Sequence, residues 1–322
     1  MSDIDRIRRA VEVLEGRARR TPILTSPFLD DLAGRRVLVK AECLQHTGSF
    51  KFRGARFAIS QLPEGTSGVI AYSSGNHAQG VALAAREAGL PAVIVMPADA
   101  PQLKIENTRA LGGEVVLYDR AGGQSREDVG ETIARERNLH LVPPYDYPDT
   151  IAGQGTVGVE IARQAAELGV SHGDVAVCCG GGGLSAGIAL ALEADAPGLR
   201  LRPCEPEGFD DVARSLRSGG IERNNRLSGS ICDAIVTPSP GKLTFPILQR
   251  LSGPGVVVTD EQCLDAMAQA FLRLKIVVEP GGAAALAAAL YHPEAFEGDA
   301  VIAVATGGNV DPAMFARALA RL

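Results

Sequence analysis

Apolar residues recur along this chain in short blocks separated by amphipathic stretches. Ile4, Ile7, Val11 and Leu14 fall at helical spacing and predict a first helix with one apolar face, closed by Gly16 and Pro22. Val37-Leu38-Val39 predicts a short strand, and an amphipathic helix is expected from Phe50 to Leu62, stopped at Pro63-Glu64-Gly65. Strands and helices then alternate. The strands are expected at 68–72, 92–96, 114–118 and 139–142, and the helices at Asn76–Glu87, Pro101–Leu111 and Ser125–Arg137. Apolar strands joined by helices mean parallel sheet covered on both faces, so residues 67–143 are expected to form a small sheet domain. Pro143-Pro144-Tyr145-Asp146-Tyr147-Pro148 reads as a stiff crossing and a hinge. Beyond it the pattern predicts a helix at Thr150–Leu168, a strand at Val175–Cys179 and a helix beyond Leu184. A strand near Leu199–Glu205 and a helix near Asp210–Leu216 follow. Residues 218–244 are rich in Gly, Ser and Pro and read as a long irregular connection, the kind that often carries function. A strand at Val256–Thr259, helices at Glu261–Leu274 and Gly281–Leu290, a strand at Val301–Ala305 and a last helix from Asp311 complete the pattern.

Composition narrows the function classes. The 322 residues are 46% hydrophobic and 22% charged, ordinary for a globular protein of two domains or one large α/β unit. A net charge of -6 without a basic cluster argues against nucleic acid as a partner. Arg8, Arg9, Arg17, Arg19 and Arg20 are interleaved with Glu12 and Glu15, as on a solvated helix face. The six cysteines form no CxxC pair and no zinc spacing, so they are expected as buried free thiols in a reducing compartment. The polar start of the chain and the lack of any run long enough to span a bilayer lead to the expectation of a cytoplasmic protein without a membrane partner.

Four segments sit where a strand ends or a helix opens, the place where open α/β sheets bind ligands. In Thr47-Gly48-Ser49-Phe50-Lys51-Phe52-Arg53-Gly54-Ala55 a single lysine stands among small, aromatic and apolar neighbours. Desolvation and a helix N-terminus both lower an amine's pKa and prepare it to attack an aldehyde. On this segment alone, an exposed lysine on an amphipathic helix is the commoner state. Ser73-Ser74-Gly75-Asn76-His77 follows a strand and opens a helix, so its N–H groups and hydroxyls suit a carboxylate; an ordinary helix cap would need fewer of them. Gly180-Gly181-Gly182-Gly183 lets the backbone approach a phosphate from several directions, whereas a tight turn rarely needs four glycines. Thr306-Gly307-Gly308-Asn309 puts a neutral hydroxyl at the sheet's carboxyl edge.

A lysine, a carboxylate pocket, a phosphate cradle and a neutral hydroxyl are together what pyridoxal 5'-phosphate requires. On these segments, with Ile151-Ala152-Gly153-Gln154-Gly155-Thr156, the chain resembles the fold-type-II pyridoxal-phosphate enzymes, in particular the threonine/serine dehydratase and serine racemase group. The resemblance implies an α/β fold of two open, mostly parallel twisted sheets flanked by helices, like tryptophan synthase β, with residues 1–66 and 144–322 in a large domain and 67–143 in a small one. It also implies a homodimer. It makes Lys51 the Schiff-base lysine and base at Cα, with Phe50 beside the ring and Asn76 on the phenolic oxygen. Gly180, Gly181, Gly182, Gly183 and Leu184 would hold the phosphate, and Thr306 would face the pyridine nitrogen. Ser74 would face the substrate opposite the lysine and act as second acid/base in a racemase. Ser73, Gly75, His77 and Tyr145 would complete the substrate side. Glu205, Phe209 through its carbonyl, and Asp211 match a divalent-cation site, for Mg²⁺ or a similar ion; for the acids, a helix N-terminus is the competing explanation. Three departures stand out: threonine at 306 for the usual serine, Pro143 where histidine is common, and Tyr145 where phenylalanine or asparagine is usual. No regulatory domain is expected after Leu322.

The activity so implied is loss of water from a 3-hydroxy amino acid of threonine or serine type, giving a 2-oxo acid and ammonia. The alternatives are an amino-acid racemase, or a dehydratase for hydroxyaspartate, phenylserine or a hydroxyectoine-pathway substrate. A more distant one is a nicotinamide oxidoreductase, since Gly181-x-Gly183-x-x-Ala186 with Glu205 downstream fits a relaxed dinucleotide fingerprint. That reading leaves Lys51 and residues 73–76 without a role.

Overall fold

A computed structural model describes residues 3–100, 102–119 and 122–322. Its strands are β1 (Ile23–Thr25), β2 (Arg36–Lys40), β3 (Val69–Tyr72), β4 (Ala92–Pro97), β5 (Gly113–Tyr118), β6 (His140–Leu141), β7 (Gly173–Cys178), β8 (Leu199–Pro206), β9 (Val256–Val258) and β10 (Ala300–Val304). They form two sheets, one of six strands in the order β1-β2-β10-β7-β8-β9 and one of four in the order β5-β4-β3-β6. Every pairing is parallel except that of β1 with β2. The α/β expectation of two mostly parallel sheets holds. The interior strands are apolar on both faces, as helix-covered parallel strands must be: β4 and β10 are buried along their whole length.

Several elements differ from the pattern-based expectation. Strand β1 and the helices Pro27–Ala33 and Thr244–Leu251 were not foreseen, because each is too short to show a period. The helix expected at Glu261–Leu274 is α-helical only over Asp260–Gln269 and loosens into a π turn at Ala270–Leu274. Pro101, the expected first turn of its helix, lies outside the described residues, and that helix is seen over Gln102–Ala110. The 218–244 connection is irregular apart from the end of one helix at Ser218, a single turn at Asp233–Ile235 and the start of another helix at Thr244.

Two features set the position of the lysine helix, Lys51–Ser60. The first is a left-handed turn before it, with φ 59° at Thr47 and 72° at Gly48. This turn brings Ser49 into a bridge with Gly307 and lets the Phe50 N–H donate to the Thr306 carbonyl. The second is a buried ion network. The Arg53 guanidinium donates to both oxygens of Glu42 at 2.8 Å and to Glu160 at 2.7 and 3.0 Å. Lys40 donates to Glu160 at 2.5 Å and to the Gln164 side chain and Thr21 carbonyl at 2.8 Å. Every donor has an acceptor of matching geometry, which is what makes such burial tolerable.

The long helix Pro148–Glu167 crosses both the lysine helix and Gly183–Asp195 on glycines. A Cβ on Gly153 would lie 2.6 Å from the Arg53 carbonyl oxygen, and one on Gly187 would lie 2.5 Å from the Ile151 carbonyl oxygen. The backbones therefore touch, and the sites at the two helix N-termini are held at fixed separation. Gly187→Val is expected to lower stability by about 2–4 kcal/mol through overpacking; a thermal or denaturant melt against wild type checks it.

Candidate active site

Lys51, residues 73–77, the glycine turn and Thr306 line one cavity of about 760 Å³. The four segments, scattered over the chain, thus converge as expected from their positions at strand ends.

The Lys51 amine donates to the Pro144 carbonyl at 2.8 Å and lies 5.0 Å from the centre of the Phe50 ring. Burial alone brings its pKa down to about 8. Desolvation is the first cause expected from the sequence.

The turn after β3 leads into the helix Asn76–Glu87 with Gly75 at the cap and no side-chain cap bond. The Ser73 hydroxyl accepts from the Gly75 N–H at 3.3 Å. His77 is buried, and its Nε2 lies 2.7 Å from the Val142 carbonyl. A carbonyl only accepts, so Nε2 carries the proton and Nδ1 is bare; Nδ1 has no partner. Burial first, and the Lys51 charge second, bring the His77 pKa down to about 3, so the ring is neutral.

The glycine turn is closed in by its neighbours. A Cβ on Gly181 would lie 2.3 Å from the Tyr145 ring, one on Gly182 2.9 Å from the Thr244 hydroxyl, and one on Gly183 2.7 Å from Gln154 Oε1. Gly182 has φ 89° and caps the helix Gly183–Asp195, whose opening N–H groups have no intrahelical partners. Leu184 and Ser185 follow on the cavity wall. The buried hydroxyls of Ser185 and Thr237, both lining the cavity, have no hydrogen-bond partner. Thr306 is buried and lines the same cavity.

Sequence reasoning missed several cavity residues. The stiff crossing at 143–148 also contributes to the cavity wall, with the Pro143 and Pro144 carbonyls accepting from Thr150 and Gln154. Glu279 accepts from Asn76 at 2.5 Å, and Asn309 donates to Asn76 at 2.7 Å. Asn309 was in view as part of the Thr306 segment without a role; Glu279 gave no signal beyond preceding a proline-started helix. Lys104 and Arg126 also line the cavity.

Of the residues expected as cation ligands, Asp211 keeps one buried carboxylate oxygen without a hydrogen-bond partner among the described residues. Both oxygens of the buried Glu205 accept from the Val212 and Ala213 N–H groups, so it serves the helix Asp211–Ser218, the competing explanation for this acid. Asp211 accepts from Asn224 at 2.5 Å, and burial raises its pKa to about 7. Phe209 is buried with the Arg226 guanidinium 5.1 Å from its ring centre. Among the described residues no group of three or more His, Cys, Asp or Glu is placed to share a metal ion. The same capping role removes Glu205 as a ribose ligand, and with it the nicotinamide alternative loses its acidic partner. All six cysteines are free and buried, as expected. No helix among the described residues is long and apolar enough to cross a membrane.

A family model described as pyridoxal-phosphate dependent enzyme matches residues 14–307. The chain is 43% identical over 313 residues to an L-threo-3-hydroxyaspartate ammonia-lyase of a Pseudomonas species, covering 97% of this chain and 96% of that one. It is 38% identical to a serine racemase of Schizosaccharomyces pombe, with 98% and 97% covered. Among solved structures, maize serine racemase superposes with a TM-score of 0.90 at 37% identity, over 99% of this chain and 97% of that one.

The cavity fits this cofactor on its own terms. It holds an amine of lowered pKa, a turn that excludes any Cβ, two orphaned hydroxyls beside it, and a neutral hydroxyl at Thr306. With a pKa of about 8, roughly a tenth of the Lys51 amine is neutral at pH 7, far more than for an ordinary exposed lysine. In cofactor-free protein, Lys51 should be acylated ahead of other lysines, with a rate rising through pH 8; peptide mapping by mass spectrometry checks this.

Proposed function

The chain belongs to the pyridoxal-phosphate-dependent enzymes, and on that premise we propose that it removes water from a 3-hydroxy amino acid bearing a second carboxylate, 3-hydroxyaspartate. The observation that carries the lyase reading is the shared cavity of Lys51 and the glycine turn.

When bound, the cofactor supplies the electron sink that makes the Cα–H bond acidic. Lys51 is the residue that holds its aldehyde carbon. Gly180, Gly181, Gly182, Gly183 and Leu184, with the hydroxyls of Ser185 and Thr237, would hold its phosphate at a helix N-terminus. Phe50 would flank the ring, and Asn76 would serve the phenolic oxygen. Thr306 offers the ring nitrogen a hydroxyl without negative charge to retain a proton there, and its methyl adds bulk that serine would lack.

The turn of Ser73, Ser74 and Gly75 binds the substrate's α-carboxylate with its N–H groups and hydroxyls. His77, neutral and bare at Nδ1, adds an acceptor to this side, and Tyr145 closes the end nearest the glycines. The Lys51 amine takes the Cα proton, and the β-hydroxyl leaves as water once protonated. Hydrolysis of the released enamine consumes one water and gives the 2-oxo acid and ammonia. Ser74, on the face opposite Lys51, is the group that would return a proton in a racemase.

Cations on the cavity wall favour an acidic substrate. Among the described residues Lys104 pairs with Asp233 at 3.5 Å, and Arg126 with its exposed chain neighbour Glu127 at 2.6 Å. An exposed pair of this kind is weakly held, so the Arg126 guanidinium can exchange Glu127 for a substrate's second carboxylate, for which it is well matched. Relatives described as acting on hydroxyaspartate include the Pseudomonas enzyme and one of Saccharomyces cerevisiae, 40% identical. Threonine or serine is the second reading, supported by a threonine ammonia-lyase of Thermotoga maritima at 37% identity. We read residues 1–66 with 144–322 as the large domain and 67–143 as the small one, each built on one of the two sheets. A cytoplasmic homodimer is part of the same proposal; the exposed Phe28, Leu32 and Phe271 support an interface.

Lys51→Ala is expected to abolish the yellow chromophore and lower turnover by at least about a thousandfold. A preparation of that variant that keeps both would remove the lysine assignment. Arg126→Ala is expected to raise KM for 3-hydroxyaspartate by about tenfold or more while leaving that for threonine nearly unchanged. Release of oxaloacetate and 2-oxobutanoate from the two substrates reads both.

A further inference from the structure

Asn76 sits between two residues that no part of the reading above requires, Glu279 and Asn309. The Asn309 Nδ2 donates to the Thr47 carbonyl at 2.8 Å and to the Asn76 Oδ1 at 2.7 Å, and the Asn76 Nδ2 donates to Glu279 Oε1 at 2.5 Å. An amide side chain has two ends of nearly equal shape, so its orientation is decided by its partners.

Here the partners leave no choice. The Thr47 carbonyl can only accept, so Asn309 must turn its Nδ2 toward it. The other hydrogen of that same nitrogen faces Asn76, which must therefore present Oδ1. That places the Asn76 Nδ2 against Glu279, whose carboxylate takes one hydrogen. The second N–H of Asn76 remains, and Asn76 lines the cavity.

The starting point of this chain is itself fixed. Thr47 holds φ 59° in the turn before the lysine helix, and a Cβ on Gly48 would lie 2.6 Å from Asn309 Oδ1. The far end is fixed too, because a Cβ on Gly307 would lie 2.1 Å from Glu279 Oε1. Glu279 is buried and makes no ion pair among the described residues, and burial raises its pKa to about 7. A buried carboxyl with no cation beside it, tied to one amide, is otherwise unexplained by the fold.

We infer that Asn309 and Glu279 are positioning residues that force Asn76 to act as a hydrogen-bond donor toward the cofactor's phenolic oxygen. This rests on the proposal that the cavity holds pyridoxal phosphate through Lys51. A donor there favours the ionised phenolate, whereas a flipped Asn76 would turn its carbonyl oxygen to the same place and repel it.

The test is equilibrium binding to the full chain freed of cofactor, using pyridoxal 5'-phosphate and its 3-deoxy analogue, which lacks the phenolic oxygen. Asn309→Leu and Asn309→Asp should each weaken pyridoxal phosphate roughly tenfold, the scale of one hydrogen bond to a charged group, and the 3-deoxy analogue less than about twofold. Asn309→Asp keeps the side chain's shape and serves if the leucine variant fails to fold. Glu279→Gln retains an acceptor and should keep the wild-type ratio of the two affinities, whereas Glu279→Leu should reduce it. Equal weakening of both ligands, or of neither, would overturn the inference while leaving the lyase reading intact. Wild-type protein that binds neither would overturn both.

Discussion

Arg53 decides where the lysine of this site stands. It follows Lys51 by two residues, and its guanidinium is committed to Glu42 and Glu160 at once. Glu42 comes from the turn after β2 and Glu160 from the long helix, so one side chain ties the lysine helix to both. Lys40 completes the network from the end of β2. Four charges balance here, two of each sign, in a setting where an unpaired one would be costly. The same buried frame lets the Lys51 amine be desolvated without a counter-ion, which sets its pKa near 8.

Glycines bring the remaining parts within reach. The lysine helix touches the long helix at Gly153, and the long helix touches the helix that opens on the glycine turn at Gly155 and Gly187. A phosphate cradle and an amine more than a hundred residues apart in sequence are thus joined by two backbone-to-backbone contacts. Fixed separation of this kind is what covalent catalysis with a tethered cofactor needs, since small misplacements of a reacting group are expensive in rate.

Much of this was legible in the sequence, and the parts that were not share a cause. Lys51, residues 73–77 and the glycines announced themselves because local features, a strand end followed by glycine or hydroxyl residues, are visible in a short window. The alternation of apolar strands and helices fixed the class for the same reason. Glu279 and Asn309 act across 203 and 233 positions from Asn76, and no window spans that distance. The acids at 205 and 211 are ambiguous in sequence because a carboxylate that caps a helix and one that binds an ion look alike; what the structure adds is that Glu205 accepts from the Val212 and Ala213 N–H groups. Short helices such as Pro27–Ala33 lack the length to show a period. The partner of the Lys51 amine is a main-chain oxygen, which has no letter of its own.

That last contact has a consequence for how such a cavity can diversify. The acceptor at 144 belongs to the peptide unit, so exchanging the side chain there leaves it in place, provided the turn keeps its path. The neighbours at 143 and 145 are two of the three positions where the sequence was expected to depart from the family it resembles. Side-chain changes along this wall can therefore alter what it accepts, while the resting place of the reactive nitrogen is set by the main chain.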